Sequence, residues 1–223
     1  MFNNKIENKI LVIETYSDDR LPRYGRIIIL NLKKEYCLYS FNLDFLNKDL
    51  IKWQWNKIMC GIVGIFNLDN SKIDRDELIK FNDSLIHRGP DAKGIYINKE
   101  NNLGLGHRRL SILDISNLSN QPMTYHDGRF VMTYNGEIYN FLELKSELIE
   151  LGYKFKTSGD SEVILASYLN WGEKCQHKFN GMWAFAIWDN IEQRLFLSRD
   201  RFGVKPLYYL NNGDKFFFAS ELK

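Results

Sequence analysis

Met59-Cys60-Gly61-Ile62-Val63-Gly64-Ile65-Phe66 is the stretch on which the reading turns. Gly61–Phe66 is a short apolar run, the pattern of a buried strand. Downstream, Asp74 with Glu77 three residues on opens a helix to about Ile86. Gly94–Ile97 and Leu103–His107 read as strands around the polar turn Asn98–Asn102. Arg129–Tyr134 is another strand, ending in the turn signal Asn135-Gly136. The next helix has Asn140 as N-cap and Glu143 at the third position. Its apolar face is Phe141, Leu144, Leu148 and Leu151, and Gly152 stops it. Ser161–Trp171 is a further helix, capped by Asp160 or its neighbours and stopped by Gly172. Met182–Trp188, Arg194–Ser198, Leu207–Leu210 and Phe216–Ala219 read as strands, the last two joined by a hairpin turn at Asn211–Asp214. Helices embedded among hairpin-linked strands predict an α+β fold with antiparallel sheets.

Upstream of Met59 the style differs. Residues 1–58 are dominated by Ile, Leu, Asn, Lys, Tyr and Phe and contain no Ala. Ile10–Ile13 and Arg26–Leu32 read as short strands, with Ser17–Gly25 a turn region between them. The enriched residues are those of AT-rich codons, and no chemistry-bearing motif is present. Translated upstream DNA, with Met59 the authentic start, is the expectation; a propeptide is the alternative.

The 223 residues carry 30 Lys and Arg against 28 Asp and Glu, a formal net charge of +2. That balance gives no argument for a nucleic-acid or membrane partner. No run approaches the ~18 apolar residues of a membrane span. Cys37, Cys60 and Cys175 are odd in number and widely spaced, which suits a reducing cytoplasm better than a disulfide framework. His87, His107, His126 and His177 show no metal-ligand spacing and are taken as structural.

Four places carry chemistry. If Met59 is removed, Cys60 holds a thiol and a free α-amine on one residue. With a pKa of about 7.7–8.0, that amine can serve as the base for the thiol. The plainer reading is a small buried hydrophobe. Asn135 and Gly136 offer a pair of donors for an oxyanion, or a hairpin turn. Arg109 offers a guanidinium fork for a carboxylate, or a surface charge. Asp160 suits an ammonium group, or a helix N-cap, or both.

Together with Met59–Gly64, several motifs resemble the class II glutamine amidotransferase domain of glutamine-hydrolysing asparagine synthetases, an N-terminal-nucleophile hydrolase. They are His87–Asp91, Arg109–Ile112, Gln121–Met123, Asn135–Asn140, Gly159–Glu162, Gly181–Ala186, Arg199–Tyr208 and Ala219–Lys223. Each is weak alone, but the ordered set from Met59 to Lys223 is specific. The resemblance implies a four-layer α/β/β/α sandwich of two antiparallel sheets. It implies Cys60 as nucleophile, its α-amine as base, and Asn135 with Gly136 as the oxyanion hole. Glutamine is then held by Arg109 at its carboxylate, with Glu137 and Asp160 near its α-amino group. Main chain around Leu110, Ser111, Ile112 and Leu113 lines the pocket.

The implied partners are L-glutamine and a synthetase domain, with a homodimer also admitted. No cofactor is expected within these residues, whereas ATP and Mg2+ are implied for the synthetase domain. Two departures stand out. Cys60 is not residue 1, and an attached upstream segment leaves its nitrogen an amide. The synthetase domain with its Ser-Gly-Gly loop is absent, so the chain reads as a fragment or truncated product. Rival readings are an amidotransferase domain serving another acceptor, and a catalytically silent domain.

Overall fold

The computed structural model describes residues 10–14, 27–29, 59–110 and 120–222. Its strands are β1 (Ile10–Glu14), β2 (Ile27–Ile29), β3 (Gly61–Asn67), β4 (Ala92–Ile97), β5 (Leu103–Arg109), β6 (Met123–Tyr125), β7 (Phe130–Ile138), β8 (Gly181–Asp189), β9 (Arg194–Arg199), β10 (Tyr208–Asn211) and β11 (Lys215–Ala219). The helices are α1 (Arg75–Asp83), α2 (Phe141–Glu150) and α3 (Asp160–Trp171), the last running into a 3-10 turn, Gly172–Lys178. One sheet has the order β2-β1-β9-β8-β7-β6 and the other β10-β11-β3-β5-β4. From β3 onward every described pairing is antiparallel, as expected. The strands at Ile10 and Ile27 also form, and β1 joins β9 in parallel. The turn region expected at Ser17–Gly25 lies outside the described residues.

Side-chain alternation explains the layering. On β3, Ile62 and Phe66 point between the sheets, where they meet Val131, Ala184, Ala186, Trp188, Leu195 and Leu197. Phe66 meets Trp188 edge-on at 5.3 Å between ring centroids. Val63 and Ile65 point the other way, onto Leu78 of α1 and Leu85. The far face of the first sheet, with Met132, Phe185, Ile187 and Phe196, packs on Leu144 and Leu148 of α2 and Val163 to Ala166 of α3. The result is helix, sheet, sheet, helix, the expected four layers. Both faces of β3 are buried. It therefore reads as one continuous apolar run rather than an alternating one.

Three local expectations need correction or refinement. First, β7 does not end in a turn at Asn135-Gly136. It continues to Ile138, with Asn135 opposite Ala184 and Gly136 opposite Trp183. Gly136 serves close approach instead: a Cβ there would run into the carbonyl oxygen of Met182 and lie 2.7 Å from the Tyr134 ring. Second, α1 is capped as read, with Asp74 accepting from the Asp76 and Glu77 amides, but stops at Asp83. Third, of the expected Asp160 or its neighbours it is Gly159 that is the N-cap of α3, with no side-chain cap bond, and Asp160 is the first helical residue. Asn140 is the N-cap of α2, but its side chain bonds Lys178 O and the Asn180 amide. A distant segment has outcompeted the local cap. The short β6 was not foreseen.

Candidate functional site

Cys60 immediately precedes β3, and the pairing of Gly61 with Arg108 brings it against the end of β5. The Leu110 amide donates to Sγ at 3.3 Å, and Sγ faces the Leu110 carbonyl at 3.7 Å. Arg88 Nε donates to the Cys60 carbonyl at 3.2 Å, while its Nη1 holds Glu221 Oε1 at 2.8 Å. The segment carrying Arg88 lies close on β5, since a Cβ on Gly89 would collide with the Arg108 main chain. Cys60 is therefore fixed at its thiol and at its carbonyl by elements distant in sequence. Burial pushes its thiol up; the Leu110 amide and the nearby Lys205 and Arg109 charges pull the other way.

Asn135 sits deep in β7, 2% exposed, and among the described residues its Nδ2 is buried without a hydrogen-bond partner. A buried amide donor without a partner is costly, and this one is free to donate to a bound group. The strand carrying it is stitched to β5 across the sheet interface. Thr133 Oγ1 donates to Gly106 O at 3.0 Å, and His107 Nε2 donates to Tyr134 O at 3.1 Å. That bond fixes His107 with its proton on Nε2, and burial pushes its pKa down to about 4. His107 is thus structural, as read.

Arg109 ends β5, buried, and its Nη1 donates to Asn120 Oδ1 at 2.8 Å. It is not a surface charge. Asp160 Oδ2 accepts the Tyr134 hydroxyl at 2.7 Å and the Ile138 amide at 2.9 Å. Burial pushes the Asp160 carboxyl up and the Tyr134 phenol well up. Glu137, on the same strand, is close enough to bear on both groups and on Lys205. Cys60, Leu110, Arg109, Tyr134, Glu137 and Asp160 therefore share one region where β3, β5, β7 and the start of α3 converge. Ser111, Ile112 and Leu113 lie outside the described residues.

Sequence reasoning assigned no role to Arg88, Tyr134, Lys205 or Glu221. Arg88, Lys205 and Glu221 stand inside the quoted motifs, and Tyr134 directly precedes one. Their contacts span up to 146 residues, which no local pattern reports. A cavity of about 480 Å3 lined by Tyr125, Lys154, Lys156 and Glu162 lies beside β6 and includes none of the site residues. Among the described residues no group of three His, Cys, Asp or Glu is placed to hold a metal, and no helix is long and apolar enough to cross a membrane.

This fold and site go with a defined class. Residues 59–223 match the glutamine amidotransferase domain family, and the chain belongs to it. It is 45% identical over 168 residues to asparagine synthetase (glutamine-hydrolyzing) 1 of Bacillus subtilis, covering 74% of this chain and 26% of that protein. It is 44% identical over 181 residues to putative asparagine synthetase (glutamine-hydrolyzing) 2 of Methanocaldococcus jannaschii, covering 74% of this chain and 34% of that one. The chain thus spans only 26% and 34% of the length of these two relatives. The solved glutamine phosphoribosylpyrophosphate amidotransferase of B. subtilis superposes with a TM-score of 0.60 at 22% identity, over 72% of this chain and 42% of that one. That likeness speaks to the fold alone.

Proposed function

We propose that residues 59–223 form the glutaminase domain of an asparagine-synthetase-like enzyme. L-Glutamine is hydrolysed to glutamate and ammonia through a thioester on Cys60. In the whole protein the ammonia serves ATP-dependent amidation of aspartate. The observation that carries the reading is the unpartnered Asn135 amide on the strand beside the held thiol of Cys60.

The chemistry follows from these groups. In a chain beginning at Cys60, the α-amine takes the thiol proton as sulfur attacks the glutamine carboxamide carbon. The carbonyl oxygen becomes an oxyanion, and Asn135 Nδ2 with the Gly136 amide donates to it. The carbon–nitrogen bond then breaks, and the α-ammonium returns its proton to the leaving ammonia. Water, deprotonated by the same amine, attacks the thioester and frees glutamate. Arg109 pairs with the substrate α-carboxylate. Asp160 uses one oxygen for Tyr134 and Ile138 and leaves the other, with Glu137, for the α-ammonium. That ammonium would offset the burial that pushes the Asp160 carboxyl up. ATP and Mg2+ belong, in this reading, to the synthetase domain. The similarity to named asparagine synthetases supports aspartate as the acceptor.

The test is glutamate release without ATP from protein whose N-terminal residue is verified as Cys60. Hydrolysis is expected. Its absence from folded protein would favour the silent-domain reading.

A further inference from the structure

The mechanism above makes no use of Lys205, yet among the described residues no other lysine is buried. It lies in the loop between β9 and β10 and is 3% exposed. Among the described residues its Nζ has one hydrogen-bond partner, the thioether sulfur of Met59, at 2.7 Å. A thioether is a weak acceptor, so a buried charge is left poorly compensated. Natural folds seldom retain such a group without a use for it.

The loop holds it there by construction. The Asp200 carboxylate accepts from the main-chain amides of Trp183 (3.2 Å), Phe202 (3.1 Å), Val204 (2.9 Å) and Lys205 (2.9 Å). Arg199 donates from Nε to Lys205 O at 2.8 Å and from Nη2 to Gly203 O at 2.6 Å. Gly203 has φ +63°, and a Cβ there would meet that guanidinium at 2.7 Å. An acidic and a basic side chain together hold the loop so that its ammonium meets the Met59 side chain, close enough to Cys60 for the two to influence each other.

We infer that Lys205 is a positioning residue of the reaction: its ammonium favours the thiolate of Cys60 and, in a chain beginning at Cys60, the uncharged form of the α-amine. This rests on reading Cys60 as the nucleophile. Removing Met59 would also remove the ammonium's present partner and open it to the reacting groups. The other charges nearby are committed differently. Arg88 spends its guanidinium on the Cys60 carbonyl and Glu221, which His87 also meets. Arg109, at the end of β5, engages Asn120, and Arg108 pairs with Asp83 on the far side of that strand. His107 is held neutral by burial. From β7 and α3, Tyr134 and Asp160 bond each other, and Glu137 supplies the negative charge that stabilises the Lys205 ammonium. Burial favours loss of the Lys205 proton, while Glu137 and Cys60 favour keeping it.

The test uses the full chain and does not depend on glutamine hydrolysis. The rate of Cys60 alkylation by iodoacetamide is followed against pH, read by mass spectrometry on the Cys60 peptide, for wild type, Lys205→Met and Lys205→Arg. Lys205→Met should move the midpoint up by about one pH unit, and Lys205→Arg should leave it nearly in place. Lys205→Gln should raise the midpoint likewise, which serves if Lys205→Met does not fold. An unmoved midpoint in whichever of the two neutral variants folds overturns the inference. Failure of the glutaminase reading shows up separately, as absence of glutamate release from wild type starting at Cys60.

Discussion

Asn135 and Arg109 are both buried, and the proposed mechanism gives them different points of the reaction. A donor aimed at the oxyanion works mainly in the transition state. Asn135→Ala should therefore lower kcat by about 10²–10³ with a smaller change in KM. The substrate carboxylate is present in ground and transition states alike, so Arg109→Ala should act largely through KM. Steady-state glutamine kinetics on the two variants separate these roles. His107 gives a prediction about stability. Its pKa falls from an ordinary 6.5 to about 4 on folding, so the unfolded chain binds the extra proton between those values. Its contribution is fully present above pH 6.5 and is lost as pH falls toward 4, a change on the order of 3 kcal/mol. Unfolding free energies from urea titrations at pH 7 and pH 5, a window that spans about 2 kcal/mol of that change, should differ less in His107→Gln than in wild type by about that amount.

At the scale of elements, the register of β7 against β8 places the site. The pairing of Gly136 with Trp183 leaves no room for a side chain at 136. Gly136→Ala should cost about 1–3 kcal/mol by thermal or urea unfolding, and should lower activity as β7 shifts and carries Asn135 with it. The same strand shows what the sequence made legible. Asn-Gly reads locally as a turn, and only the partner strand reveals it as mid-ladder. The β3 run, the Asp74 cap and the hairpin at Asn211–Asp214 were readable because their causes are local. Asp160 stood out within its motif but not as the acceptor for Tyr134, because that bond joins residues 26 apart in sequence. Arg88 and Lys205 are the same case at greater range: their partners are fixed by how β3, β5 and the β9–β10 loop converge.

For the whole molecule, the three buried clusters draw on residues from Ile62 to Ala219. A chain starting at Met59 should therefore fold with both sheets, leaving β9 as an edge where β1 otherwise pairs. A chain starting at Met1 and kept intact holds the Cys60 nitrogen as an amide, with no lone pair to take the thiol proton, and should be silent. The central claim is that Cys60 and its own α-amine perform the hydrolysis. Glutamate release, with the N-terminus verified by mass spectrometry, tests it on the intact Met1 chain, on the chain beginning at Cys60 and on a Met59-start Cys60→Ala variant. The account predicts activity in the second alone. Glutamate release from the uncleaved Met1 chain, or from Cys60→Ala, would contradict it.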